Sequence, residues 1–429
     1  MTTLTAESPY WSALQKIAFR FFFLFFILFI FFNPNGVIPF YDGIYNLYIE
    51  PFHKLIPWLG AHVLHLAKPI TEFTGGSGDT TYDYVIILFM TVISVVVTVI
   101  WSITGRNTRN YNKLLYWLTV VIRYYVAITM VLYGSIKIIK LQFPAPGPGR
   151  LIQPLGTMSP MGLAWTYMGY STGFNIFTGM AELTCGLLLF FRKTTTLGAI
   201  VGLVVAGNIM AINYCFDVPV KLLSTFLVLM SLFILVRDFR RLVNFFFLNR
   251  DAQPSNLSPH RFKARWKNIS LITVKYLIVA YVVIGYMISA VQAGAQYGDN
   301  AKKPPLYGLY NVESFVKNND TLPPLTTDTT RWNKLVIGNR YSQVKYMNDT
   351  MKNYNFALDT IKHKITLNTF KDTLHKFVFD YTLQKPDVML LKGNWKKDSV
   401  QIRLHKVDLG NFLLLKRGFH FINEEPFNR

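Results

Sequence analysis

The sequence predicts a polytopic α-helical membrane protein of about seven transmembrane helices, N-terminus inside, with a C-terminal extracytoplasmic antiparallel β-sandwich or barrel domain. The helical part is predicted because 51% of the 429 residues are apolar and only 16% are charged, whereas a soluble domain carries roughly 25% charged residues. The β-domain is predicted because polar and apolar residues begin to alternate near residue 331. This composition excludes a disordered chain, and two cysteines exclude a disulfide-rich secreted scaffold.

Seven apolar segments approach the length of about 20 residues that a bilayer span requires. They are residues 17–32, 84–103, 114–139, 174–191, 194–214, 222–236 and 276–293. The first resembles a signal peptide, but it ends in Asn33-Pro34-Asn35-Gly36 without a small-residue cleavage site, so we predict an uncleaved anchor. Because hydrocarbon offers the backbone no hydrogen-bonding partner, we expect all seven segments to be helical.

Basic residues in three short loops set the orientation, since such residues are concentrated on the cytoplasmic side. They are Arg106, Arg109 and Lys113 after span two, Arg192 and Lys193 after span four, and Arg237, Arg240, Arg241, Arg250, Arg261, Lys263, Arg265 and Lys267 after span six. The three loops alternate consistently, so the N-terminus is predicted inside and the chain after residue 293 outside. Topology and attraction to the lipid bilayer explain most of the net charge of +21, and we expect no nucleic-acid partner.

We predict five parts along the chain. They are an N-terminal two-helix membrane region with an outer interfacial loop (1–113), a four-helix core (114–236), a basic cytoplasmic loop with the seventh helix (237–293), a linker (294–330) and a β-domain (331–429). The interfacial loop contains His62 and His65, whose spacing suits a metal ion on a helix, but without a third ligand we favour interfacial histidines and predict no metal site.

The β-domain prediction depends on short strand-like segments separated by turn residues every 8–12 positions or so. The segments are residues 335–337, 344–346, 365–367, 377–379, 388–391, 400–404 and 412–415. This region has no recognisable nucleophile and base, so interaction is favoured over catalysis. From residue 301 onward the chain has 21 Lys and Arg against 12 Asp and Glu, which indicates either a weak partner-steering surface or an ordinary solvated face.

Ionisable residues inside spans are costly and are therefore candidates for function. Arg123 lies ten residues from Lys113, and Glu182 lies ten residues from Arg192. Counted from these cytoplasmic ends, each lies roughly 15 Å deep, so we predict that Arg123 and Glu182 pair.

Further polar residues extend this candidate site. Helical periodicity places Arg123, Met130, Gly134 and Lys137 on one face. Lys137 is near the predicted outer surface, where it could meet Asp217 or extend to water. Asn208 adds a polar group to span five, and the whole set is compatible with either a structural ion pair or a ligand pocket.

Spans three to six resemble the DoxX family of small four-helix membrane proteins. The resemblance rests on Arg123, on Tyr133-Gly134-Ser135-Ile136-Lys137, and on the segment from Ala181-Glu182-Leu183 to Gly186-Leu187-Leu188-Leu189. It covers about residues 114–236. Since the family includes a subunit of thiosulfate:quinone oxidoreductase and partners of redox-stress enzymes, the resemblance implies a membrane redox or quinone-linked role.

Two hypotheses of function follow, with a transporter as a third that no inverted repeat supports. The first is a quinone-linked subunit of the bacterial cytoplasmic membrane that works with a partner protein and binds a quinone-like ligand near Arg123 and Glu182. The second is a non-catalytic anchor whose β-domain, in the periplasm, scaffolds an envelope complex by binding a protein partner. Neither hypothesis assigns catalytic residues.

Overall fold

The computed structural model of the protein describes residues 10–36, 42–73, 78–254, 262–339, 341–370 and 375–428. The chain forms two compact units. Unit 1 comprises Met1–Phe143 and Pro160–Gly294 and is helical, and unit 2 comprises Pro144–Ser159 and Ala295–Arg429 and contains the strands. The predicted separation into a helical and a β part is therefore confirmed.

The helices of the described residues run in chain order from α1 to α12. They are α1 (Ala13–Phe32), α2 (Asp42–His62), α3 (Thr81–Thr104), α4 (Asn112–Ile138), α5 (Pro148–Leu151), α6 (Pro160–Tyr170), α7 (Thr172–Phe190), α8 (Thr195–Cys215), α9 (Lys221–Val236), α10 (Phe239–Phe246), α11 (Arg265–Tyr297) and α12 (Leu413–Lys416). Of these, α5 and α12 belong to unit 2.

By length and composition, six helices among the described residues could cross a membrane, namely α1, α3, α4, α7, α8 and α11. The predicted sixth span is found as α9, which has only 16 residues and bends by 81° into α10. Counting that bent pair gives up to seven. The predicted start of the seventh span, residue 276, lies inside the observed helix. Helix α11 already begins at Arg265, with a polar stretch that precedes its apolar run.

Hydrogen bonds at the helix ends explain where several of these helices start. Ser12 and Gln15 form a reciprocal capping box at α1, and Thr80 and Asp83 form another at α3. The start of α9 is capped from a distant loop, since Asp79 accepts hydrogen bonds from the backbone nitrogens of Lys221 (2.6 Å) and Leu222 (2.9 Å).

The strands of unit 2 follow one another as a meander. They are β1 (Gly308–Lys317), β2 (Asp320–Thr321), β3 (Trp332–Ile337), β4 (Tyr341–Tyr346), β5 (Met351–Asp359), β6 (Lys364–Asn368), β7 (Lys376–Lys385), β8 (Val388–Trp395) and β9 (Asp398–Val407). All neighbours are antiparallel, and β9 pairs back with β1 from Leu309↔Val407 to Lys317↔Val400. Eight strands therefore form a closed barrel, with β2 paired only to the end of β1. Of the predicted alternatives, sandwich or barrel, the barrel is correct.

Large side chains fill the barrel interior. Trp332, Phe315, Phe379 and Met389 are buried, and the rings of Trp332 and Trp395 meet edge to face with centroids 4.8 Å apart. An eight-stranded barrel is just wide enough for side chains to fill. The interior is thus a packed core.

One predicted boundary and one predicted strand are wrong. The predicted linker 294–330 contains β1 and β2, so the barrel begins at Gly308; a bulge between Val312 and Ser314 interrupts the alternation that would have revealed β1. The predicted strand 412–415 is instead part of a short helical turn, α12, whose three consecutive leucines carry no periodicity.

Candidate functional site

Helices α4 and α7 approach each other closely at glycines. A Cβ atom added at Gly134 would lie 2.8 Å from the carbonyl oxygen of Gly179, and one added at Gly186 would lie 2.7 Å from that of Ala127. Real Cβ atoms do not occur at such distances, so the two backbones are in direct contact. These contacts fix the register of α4 against α7.

The register brings Lys137 to Glu182. The ammonium Nζ donates a hydrogen bond to Glu182 Oε1, and the two side chains are only 7% and 1% exposed. The ring centroid of Phe143 lies 5.9 Å from the same ammonium. Among the described residues, no group donates to the other carboxylate oxygen, Oε2. The pair is thus an enclosed ion pair with one remaining acceptor.

The predicted pair of Arg123 and Glu182 is wrong. Arg123 instead donates from Nη1 to Thr195 Oγ1 at 3.2 Å. Ala127 of α4 faces Gly186 of α7, and the two helices run in opposite directions. Arg123, one turn before Ala127, therefore lies closer to the C-terminal end of α7 than Gly186 does. Glu182, one turn before Gly186, lies closer to the N-terminal end of α7. Their heights differ by about eight residues, or roughly 12 Å.

The error lies in the reference points used for depth. The prediction treated Lys113 and Arg192 as lying at one height, but α4 has 27 residues and α7 has 19. The N-terminal part of α4 therefore extends beyond the end of α7. The four residues that helical periodicity placed on one face, Arg123, Met130, Gly134 and Lys137, are all buried, as is every residue from Tyr125 to Val131.

The remaining candidates do not join the pair. Asp217 is 84% exposed and forms a 2.9 Å ion pair with Lys221, so the contact with Lys137 that the sequence suggested does not form. Asn208 lies on the exposed side of α8. The two cysteines are free, with Cys185 buried and Cys215 exposed. The described residues contain no group of three or more His, Cys, Asp or Glu side chains that could hold a metal ion.

Arg123 has cationic neighbours that the sequence pattern did not connect with it. Both Arg123 and Arg192 act electrostatically on Lys275 of α11. The Lys275 ammonium lies 5.0 Å from the ring centroid of Phe191, and Arg192 donates to the Tyr116 hydroxyl. One signal was available in the sequence: Arg192 directly follows one predicted span and Lys275 directly precedes another, which places both at an interface.

A groove of about 650 Å³ also lies in unit 1, between α1, α4 and α9. Its walls are mostly apolar and include Phe22, Phe26 and Phe233, with Arg237 at the edge. Neither Arg123 nor Glu182 lines it. The groove therefore does not join the two residues into one ligand site.

Comparison with known proteins adds one relative. No protein-family model matches the chain, and no solved structure matches it. A stretch of 126 residues is 34% identical to an uncharacterized protein, YwoB, of Bacillus subtilis (strain 168), and it covers 29% of this chain and 79% of YwoB. Because the match covers most of that relative, the chain belongs to the same family as YwoB.

Proposed function

We propose that the chain is a non-catalytic anchor of the bacterial cytoplasmic membrane, whose barrel lies in the periplasm and scaffolds an envelope complex by binding an acidic protein partner. The observation that carries this proposal is the enclosed Lys137–Glu182 pair. It accounts for two of the buried charges without a ligand, so the barrel, which also has exposed charges, is the part we assign to partner binding.

The helical unit supports an anchoring role. The contacts between α4 and α7 leave no space for even a Cβ atom at Gly134 or Gly186. Because Lys137 and Glu182 are both buried, each charge is stable only while the other stays in hydrogen-bonding position. An element packed in this way holds the register of two helices. Such a bundle is a stable support for an appended domain.

The barrel supports a binding role through its outer surface. Its interior is filled by side chains, so a partner has to be recognised from outside. Three exposed lysines, Lys392, Lys396 and Lys397, lie on β8 and the turn that joins it to β9. Together with the basic excess after residue 301, they favour a partner of negative charge.

Chemical cross-linking of the full chain in intact cells, followed by quantitative mass spectrometry, tests this proposal. We expect the combined variant Lys392→Glu, Lys396→Glu, Lys397→Glu to lose the cross-linked envelope proteins, because rim charges steer association. A matched variant, Lys193→Glu, Arg240→Glu, Lys267→Glu, reverses as many exposed charges on unit 1 and should retain them. Equal cross-linking by all three proteins would contradict the proposal.

One observation favours the quinone-linked role that the DoxX resemblance implies. The Oε2 atom of Glu182 can accept a hydrogen bond, as a hydroquinone hydroxyl would require. The separation of Arg123 from Glu182 weighs against a shared ligand pocket. The test is to extract lipids from the purified protein and measure the quinone they contain. Quinone that copurifies with the wild type and with Asp217→Asn, but not with Glu182→Gln, would favour this second candidate.

A further inference from the structure

Three cations from different parts of unit 1 converge beside the end of α7. Arg123 comes from α4, Arg192 from the turn between α7 and α8, and Lys275 from α11. The Lys275 ammonium lies 5.0 Å from the ring centroid of Phe191, the residue next to Arg192. Arg123 donates to Thr195, whose hydroxyl donates to the Phe191 carbonyl at 3.0 Å. We call Arg123, Arg192 and Lys275 the cation cluster.

The cluster has no anionic partner within the described ranges of the chain. None of its three members forms an ion pair with a described carboxylate, and the electrostatic neighbours of Arg123 and Lys275 are tyrosines and other cations. Their contacts are with neutral groups instead: Arg123 with Thr195 and the face of Tyr124, Arg192 with Tyr116. Like charges held together without a counter-charge are destabilising, so an anion bound there would stabilise the fold.

Arg123 provides a second, independent indication of a ligand. The residue is only 6% exposed, yet its Nε–H is without a hydrogen-bond acceptor among the residues that the structure describes. A buried donor left unpaired is destabilising. The buried guanidinium group of Arg123 therefore keeps an unused donor within the cluster.

The position of the cluster identifies the class of anion. Arg192 directly follows the apolar residues of α7, and Lys275 directly precedes the apolar part of α11. Residues at the ends of apolar spans lie at the depth of lipid headgroups. Basic sites between helices at that depth suit phosphate-bearing headgroups, and guanidinium groups bind phosphate oxygens in pairs.

We propose that Arg123, Arg192 and Lys275 bind a phosphate group, carried by an anionic phospholipid or by a free phosphate. The Arg123 and Arg192 guanidinium groups donate hydrogen bonds to its oxygens, and the Lys275 ammonium supplies further charge. This site is independent of the barrel and of the Lys137–Glu182 pair.

The test measures thermal unfolding of the full chain in neutral detergent while phosphatidylglycerol, phosphatidylcholine or inorganic phosphate is added. We expect phosphatidylglycerol to raise the Tm of the wild type more than phosphatidylcholine does. In Arg192→Gln, Lys275→Gln the half-saturating concentration should rise at least about tenfold, because two charge-assisted contacts are lost. Arg123→Gln is measured in parallel. The double variant is the main test because neither Arg192 nor Lys275 is buried, so their replacement does not disturb the core.

The control Lys193→Gln, Lys267→Gln removes the same charge from the same two segments and should respond like the wild type. Stabilisation by inorganic phosphate alone that is lost in Arg192→Gln, Lys275→Gln would assign a free phosphate, whereas stabilisation by phosphatidylglycerol alone would assign a lipid. Equal weakening in both double variants would reduce the effect to general surface charge and overturn the proposal. So would the absence of stabilisation by either probe.

Discussion

Among single residues, the most consequential contact is the one between Lys137 and Glu182. Both side chains are almost fully buried, so each charge has exchanged its hydration for the other. The same partners in water would contribute little. The stability of the helical unit should therefore depend strongly on keeping both members or neither.

A pair of variants tests this dependence. Glu182→Met leaves the Lys137 ammonium buried without a carboxylate and should lower the free energy of unfolding by about 3–5 kcal/mol. Lys137→Met combined with Glu182→Met should recover most of that loss, since a packed apolar pair is often neutral. Chemical denaturation of the full chain in detergent measures both. Asp217→Asn with Lys221→Gln is the control, because that exposed pair should cost less than about 1 kcal/mol. A single variant as stable as wild type would refute the argument.

The two charges that the sequence placed deep in the spans, Arg123 and Glu182, are both buried, but the sequence did not show that Glu182 would meet Lys137. Depth could be counted only from the basic residues at the helix ends, and Lys113 and Arg192 lie at different heights. The register instead depends on backbone contacts at Gly134, Gly179 and Gly186. Glycines inside a span indicate close packing, but they do not identify the partner residue.

Among the helices and strands, those glycines make a specific prediction for helix packing. Gly186→Ala would bring its Cβ to 2.7 Å from the Ala127 carbonyl oxygen, a backbone atom that cannot move aside without shifting α4. We expect a loss of about 1–3 kcal/mol in the free energy of unfolding. Gly207→Ala on α8 is the matched control, since nothing lies within 4 Å of the added atom. The same denaturation assay should show it within about 1 kcal/mol of wild type, and equal effects would refute the packing argument.

Strand β1 carries a prediction on pH. The Tyr310 hydroxyl donates to the Leu306 carbonyl at 2.9 Å, and burial raises the pKa of Tyr310 to about 12. Because the pKa is higher in the folded state, the folded protein holds the phenol proton of Tyr310 more tightly than the unfolded chain does. The hydroxyl therefore stabilises the fold fully at pH values below its ordinary pKa of about 10. Stability should fall as pH rises from about 10 to 12.

The measurement is the Tm of the barrel's near-ultraviolet circular dichroism signal across that pH range. In Tyr310→Phe the Tm should decrease less with rising pH than it does in the wild type. Tyr341→Phe, a change at an exposed tyrosine, should leave the decrease unchanged. A Tyr310→Phe profile parallel to that of the wild type would show that this hydroxyl does not contribute.

Most elements follow from hydropathy alone, and the exceptions have local causes. Apolar runs locate all seven predicted helical segments, because their length and composition permit little else in hydrocarbon. The bend after α9 is not visible in such a run, since Arg237 and Asp238 interrupt it as an ordinary loop would. Barrel closure is equally invisible, because it depends on the pairing of β1 with β9 across the length of the domain.

In the molecule as a whole, two units with separate hydrophobic cores share one chain. The segment Pro144–Ser159 belongs to unit 2, and Ala145 N donates to Asp299 Oδ1 at 2.9 Å. The sequence places these residues 154 positions apart, so only a folded structure reveals that the loop after α4 is part of the β-containing unit. A separately expressed barrel should therefore include this segment.

The proposed function divides the work of the chain: the buried pair supports the fold, and the barrel engages the partner. The decisive measurement is the yield of cross-linked envelope proteins from cells that express the full chain with Lys137→Met and Glu182→Met. We expect a yield equal to that of the wild type, because the double variant preserves packing and leaves unit 2 unchanged. A yield reduced to that of the barrel variant Lys392→Glu, Lys396→Glu, Lys397→Glu, in protein that is folded and inserted normally, would contradict this division and return the function to the helices.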